Sequence, residues 1–140
     1  KQMSNLNSWN NYKKGLHIEW SFSFSMEDIL SFAKLSKDRN PIHVDINFAK
    51  SKGFKAPLVY GLLLSTQMSR LIGQELPDKN CILTGIKMDF FSPAFPDEKL
   101  IFSSNLTYKS DSTRTLEFEC IISKEEEKIC RGKAHAIWKQ

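Results

Sequence analysis

In this 140-residue chain the residue types that do chemistry gather in one short polar stretch, Asp38-Arg39-Asn40-Pro41-Ile42-His43-Val44-Asp45. An imidazole titrates near neutrality and exchanges a proton at physiological pH. A carboxylate held beside it completes a general acid–base pair. Between Asp38 and His43 lies Asn40-Pro41. The fixed φ of proline makes a rigid turn there, one that can bring both side chains to the same place. A histidine in a polar loop says little by itself. It gains meaning from the elements that hold it.

Those elements follow from periodicity. Residues 17–24 alternate, with Ile18, Trp20, Phe22 and Phe24 on one face, and predict a strand. Ser25 is a candidate N-cap with Asp28 three residues on. A short helix carrying Ile29, Phe32 and Ala33 is expected to stop before Asn40-Pro41, because the residue before a proline avoids helical geometry. Asp45 is placed to cap another short turn through Phe48 and Ala49. From Gly61 to about Gly73, Leu64, Met68, Leu71 and Ile72 recur at helical spacing and predict a buried helix, with Gly73 as its end signal. Four strand-like runs follow, at about 81–91, 100–108, 115–123 and 128–138. Polar turns separate the last three, which favours consecutive antiparallel strands. One long helix wrapped by an antiparallel sheet is the economical way to bury such a helix. The expected class is therefore α+β, with a single domain over residues 15–140. The Asn-rich segment 1–14 reads as a loose tail.

Composition narrows the function. Hydrophobic residues make up 41% of the chain, including ten Phe and three Trp, enough for a genuine core. No run is long and apolar enough to cross a bilayer, and residues 1–14 lack the apolar middle of a signal peptide. Cys81, Cys120 and Cys130 are odd in number, lack a CxxC pair and sit in apolar strand runs. They read as buried free thiols, with neither a disulfide framework nor a metal site expected, and they point to a reducing cytoplasm. The formal charge of +4 comes from scattered Lys and Arg with no basic helix, so nucleic acid is not an expected partner. The densest group, Lys50, Lys52 and Lys55, reads as a solvated loop. Its functional alternative is a landing surface for the phosphates of a carrier such as coenzyme A.

The stretch from Phe32 to Ile72 resembles the (R)-specific enoyl-CoA hydratases and the wider MaoC-like dehydratases. Their motif runs Asp-x-Asn-Pro-x-His-x-Asp, then Phe-Ala, and later His-Gly-Met. Asp38 to Asp45 fits every fixed position, Phe48-Ala49 fits as well, and the likeness continues into Phe90, Phe91, Pro93 and Pro96. The resemblance implies a hot-dog fold, usually dimeric with sites near the subunit interface. It also implies reversible addition of water across the C2–C3 double bond of an enoyl thioester, carried on coenzyme A or an acyl carrier and needing no cofactor. On the same basis Asp38 and His43 hold and activate the water, and Gly61 offers its backbone N–H to the thioester oxygen. Asn40 fixes the loop, Tyr60 lies beside the acyl path or the helix start, and Ser69 helps organise the site.

The role of Gly61 has a physical basis of its own. Hydration passes through enolate-like charge on the carbonyl oxygen, and the unpaired N–H groups and dipole of a helix N-terminus favour such charge. One well-placed donor is worth roughly 3 kcal/mol in the transition state. Two departures from the family pattern stand out: Tyr60 replaces the histidine before the glycine, and Asp97-Glu98 replaces Gly-Asp after the second proline. Two other functions share these features. A hot-dog thioesterase would use the same thioester but attack its carbonyl carbon, and the spacing around Asn40-Pro41 argues against it. A non-catalytic acyl-CoA-binding subunit would have no need of Asp38 and His43. A sheet curled round one helix leaves its edges uncovered, so a homodimer or higher homo-oligomer is expected.

Overall fold

The computed structural model describes residues 8–140. Strand β1 (His17–Phe22) leads into helix α1 (Met26–Ser36). Ser25 and Asp28 form a full capping box at its start, each side chain bonding the other's backbone N–H. The helix stops four residues before Asn40-Pro41, where Lys37 turns left-handed at φ 66°. Two short helices follow, α2 (Pro41–Val44) and α3 (Ile46–Ser51). Asn40 caps the first, with proline in its first turn, and Asp45 caps the second by accepting from Asn47 and Phe48 N–H.

Helix α4 (Gly61–Arg70) is continued by a π-helical turn over Leu71–Glu75. The helical path thus runs through Gly73 and ends two residues later than that glycine suggests. Four strands complete the chain: β2 (Cys81–Phe90), β3 (Leu100–Ser110), β4 (Thr115–Lys124) and β5 (Glu127–Trp138). All pairings are antiparallel, in the order β1-β3-β4-β5-β2. Residues 125–126 form the tip of the β4–β5 hairpin, as their charge suggests. No helix among the described residues is long and apolar enough to cross a membrane.

Strand period 2 sends Leu116, Phe118, Cys120 and Ile122 to the inner face, against Leu64, Met68, Leu71 and Ile72 of the helix. The helix is also tied to β1. Trp20 donates to Gln67 at 2.9 Å, stacks on Phe102 at 4.5 Å and carries the Arg70 guanidinium over its ring. All three cysteines are buried and free, and burial pushes their thiols up, to about 11 for Cys81 and about 12 for Cys120 and Cys130. At Gly132 a Cβ would lie 1.8 Å from the Lys87 carbonyl, so β2 and β5 approach there as closely as only glycine allows.

The expectation of a loose tail over residues 1–14 needs correction. Trp9 and Tyr12 are 2% and 0% exposed. Asp78 accepts from Ser8, from Tyr12 at 2.9 Å and from Trp138 at 2.9 Å, which pins this segment to both the loop after α4 and the last strand. The Asn-rich composition hid two aromatic anchors. Residues 1–7 lie outside the described part. The other departure from the family pattern, at Asp97, is accommodated as a left-handed residue at φ 65°, a conformation that Asp tolerates. Its neighbour Glu98 accepts from Phe95 N–H and pairs with Lys124 and Lys55.

Candidate active site

His43 sits on α2, the first of two short helices capped by Asn40 and Asp45. Its own N–H bonds the Asn40 carbonyl at 3.0 Å, and the Asn40 side chain accepts from Ile42 N–H at 3.1 Å. The ring Nδ1 lies 2.7 Å from the Leu58 carbonyl. A carbonyl only accepts, so Nδ1 carries the hydrogen and the lone pair of the neutral ring falls on Nε2. Nε2 has no hydrogen-bond partner among the described residues. The Leu58 segment is itself fixed, because Leu58 N–H bonds Ile42 O at 3.0 Å and Val59 N–H bonds Ala94 O at 2.8 Å.

A cleft of about 360 Å³ opens beside this ring. His43 and Gly61 line it together with Leu58, Leu64, Phe90 and Phe91. Gly61 is the first residue of α4, so its N–H has no partner within the helix. A Cβ at this position would meet the Phe90 ring at 2.8 Å. Glycine avoids that contact with the end of the Phe90 ring and leaves the backbone open to whatever enters. The Gly61 carbonyl is tied into the helix by the buried Ser65, whose hydroxyl donates to it at 3.0 Å. The walls are mostly apolar, with one imidazole and one helix N-terminus converging on the space. That combination suits an apolar ligand with a single polar reacting group.

The remaining predicted site residues take other places. Asp38 is exposed, and its carboxylate accepts Asn40 N–H at 3.1 Å. Tyr60 is 3% exposed and lies behind His43, its ring stacked at 3.8 Å between centroids and its hydroxyl donating to the Asp38 carbonyl at 2.5 Å. Burial first, and the nearby Asp38 charge second, push its phenol up from the ordinary range. Asn40 is turned into its own loop as a helix cap. Ser69 is exposed and lies eight residues beyond Gly61, about 12 Å along the helix axis. None of these four lines the cleft, which in this single chain joins only His43 and Gly61 of the predicted set. Two features escaped sequence reading. The Leu58 carbonyl acts through its backbone and leaves no mark in residue type. Phe90 and Phe91 belonged to the resemblance but carried no assigned part.

A larger hollow, of about 490 Å³, lies on the outer face of the sheet between Tyr108, Glu117 and His135. His135 there is already bonded to Glu117 at 2.8 Å, and no helix starts nearby.

Residues 10–127 match the family described as MaoC like domain. The chain belongs to the MaoC-like family. It is 37% identical over 93 residues to an (R)-specific enoyl-CoA hydratase of Aeromonas caviae, an alignment covering 66% of this chain and 69% of that one. A mitochondrial 3-hydroxyacyl-[acyl-carrier-protein] dehydratase of Arabidopsis thaliana is 33% identical over 78 residues, covering 56% of this chain and under half, 46%, of that one. The fold agrees with the solved (R)-hydratase of A. caviae involved in PHA biosynthesis at a TM-score of 0.86, with 28% identity over 91% of this chain and 98% of that one. The fold is thus the α+β hot-dog expected from the sequence.

Proposed function

We propose that this protein is an enoyl-thioester hydratase, which adds water reversibly across the C2–C3 double bond of a 2-enoyl thioester to give a 3-hydroxyacyl thioester. The observation that carries this reading is that His43, whose Nε2 lone pair has no partner, and the Gly61 helix N-terminus line one apolar cleft. His43 takes a proton from water as the oxygen bonds C3. Charge then collects on the thioester oxygen, where the Gly61 N–H and the helix dipole stabilise it. Asp38 orients the water while the proton taken by His43 passes to C2, or its carboxyl delivers a proton to C2 and regains one from His43. The acyl chain lies along Leu58, Leu64, Phe90 and Phe91.

The homologues act on thioesters of coenzyme A or of acyl carrier protein, and either carrier suits an open, apolar cleft. A homodimer fits the exposed edge strand β2, where Ile82, Ile86 and Phe90 are about half exposed, beside Phe91 and, on α4, Leu62. Pairing two such edges would cover that surface and extend the sheet. Free buried thiols agree with a reducing cytoplasm.

The test is loss of the conjugated enoyl-thioester absorbance with crotonyl-CoA and a longer homologue, together with an assay of free thiol from a saturated acyl-CoA. Enoyl turnover without thiol release is expected. Thiol release without hydration would make the protein a thioesterase, and tight binding without either reaction would make it a carrier. Sedimentation of a stable, active monomer at micromolar concentration would remove the dimer.

A further inference from the structure

Tyr60 touches both members of the proposed catalytic pair, by different parts of one side chain. Its ring is held between two others. Phe32 of α1 packs at 4.7 Å and 54°, and His43 stacks at 3.8 Å and 24°. Its hydroxyl reaches the main chain on the other side of the Asn40-Pro41 turn and donates to the Asp38 carbonyl at 2.5 Å. Its backbone precedes Gly61, the start of α4. With 3% exposure the ring has little freedom to leave this arrangement.

His43 has two constraints on its ring, the Nδ1–H bond to Leu58 and the Tyr60 face. The first fixes which nitrogen carries the hydrogen. The second fixes the ring plane, and so the direction of the Nε2 lone pair into the cleft. Asp38 has three anchors: Asn40 N–H on its carboxylate, the Ser36 hydroxyl on its N–H, and Tyr60 on its carbonyl. An imidazole in place of the phenol is shorter, and it could not stack here and reach the Asp38 carbonyl at once. We infer that Tyr60 is a positioning residue that sets the lone pair of His43 and the Asp38 main chain in one register with the start of α4. The assignment rests on the hydratase reading of the cleft.

Two functions in one side chain can be separated by substitution. Tyr60→Phe keeps the stack and loses the tie to Asp38. It should lower kcat roughly tenfold with KM little changed, the scale of one net hydrogen bond expressed in the transition state. Tyr60→Leu loses both and should lower kcat by up to about 100-fold, which a misplacement near 1 Å can cost. Long-range proton–nitrogen NMR of the histidine rings gives a readout that simple packing would not move. The Tyr60 face holds the His43 ring in the plane in which Nδ1–H meets the Leu58 carbonyl, so the neutral ring should be a single Nδ1–H tautomer in the native protein and in Tyr60→Phe, and a mixture in Tyr60→Leu, where that bond loosens. If Tyr60→Leu does not fold, the split between kcat and KM in Tyr60→Phe decides. Wild-type kcat in folded Tyr60→Phe and Tyr60→Leu, or an effect confined to KM, overturns the inference. The NMR arm requires no turnover, so a native protein inactive on every enoyl thioester would sink the hydratase reading while the tautomer pattern still judged Tyr60.

Discussion

The outer face of the sheet and the Asn40-Pro41 turn each hold a histidine, and they differ in what surrounds it. On the outer face of the sheet, His135 Nε2 meets Glu117 at 2.8 Å, with Lys133 on the same carboxylate at 3.7 Å. The His135 hydrogen bond, opposed by burial and helped by the charge of Lys133, holds the Glu117 carboxyl below its usual range. The pair lies at the surface, with the ring committed through Nε2 to the carboxylate. In the Asn40-Pro41 turn, His43 gives its Nδ1–H to a backbone carbonyl and leaves Nε2 without a partner beside a cleft that Gly61, the start of α4, also lines. His17 follows the first pattern, with Nδ1 on Asn105 and Nε2 on Glu19. What separates a site from a surface ion pair here is an unspent lone pair beside an apolar cleft that a helix N-terminus also lines. Mere proximity to an acid does not make one.

The comparison breaks most easily at Asp38. Asp38→Asn should slow hydration by roughly two orders of magnitude or more, as removal of a positioned proton-handling group does. Folding should persist, since the side chain is exposed and its one backbone bond can be accepted by the amide oxygen. Circular dichroism and the enoyl assay check both halves.

Gly61 gives a sharper cut. Proline is tolerated at the first position of a helix, and Tyr60 before it already has the extended ψ of 135° that a following proline needs. Gly61→Pro therefore removes the donor N–H while keeping the helix start, and should lower kcat by about 100-fold or more. Gly61→Ala is the control. It keeps the donor and only pushes the Phe90 ring, the end of a mobile side chain, so a loss of about tenfold or less is expected. Equal losses in the two variants would mean that crowding, and not the donor, matters.

Asp78 concerns stability alone. Burial pushes its carboxyl up, but hydrogen bonds from Ser8, Trp138, Asn80 N–H and Tyr12 outweigh that and hold it below the ordinary range. A depressed folded value means the carboxylate stabilises the fold above the ordinary carboxylate range. That contribution fades as pH falls through the depressed value. Asp78→Ala should cost about 1–3 kcal/mol at neutral pH, measured by urea unfolding, and the gap to the native protein should narrow below about pH 4. Hydration should be unchanged in the folded variant.

Much of this was legible in the sequence because it depends on local rules. The Ser25–Asp28 box, the Asp45 cap and the period-2 strands are set by neighbours within a few residues, and each appears where spacing placed it. The motif carried Asp38 and His43 in the same way. What stayed hidden depends on distant partners. Trp9 and Tyr12 looked like tail residues because their anchors, Asp111 and Asp78, lie 102 and 66 positions on. The Leu58 carbonyl that selects the His43 tautomer has no residue signature. Tyr60 looked like a pocket substitution, whereas it lies behind the histidine. Ser69 shared a motif position but stands two turns from the cleft.

The most direct test sets the two histidines side by side. His43→Gln and His135→Gln are compared with the native protein for loss of enoyl absorbance with crotonyl-CoA, at matched folding. The account predicts a fall of roughly 100-fold or more for His43→Gln and less than about twofold for His135→Gln. Near-normal turnover in folded His43→Gln, or a comparable collapse in His135→Gln, would contradict it.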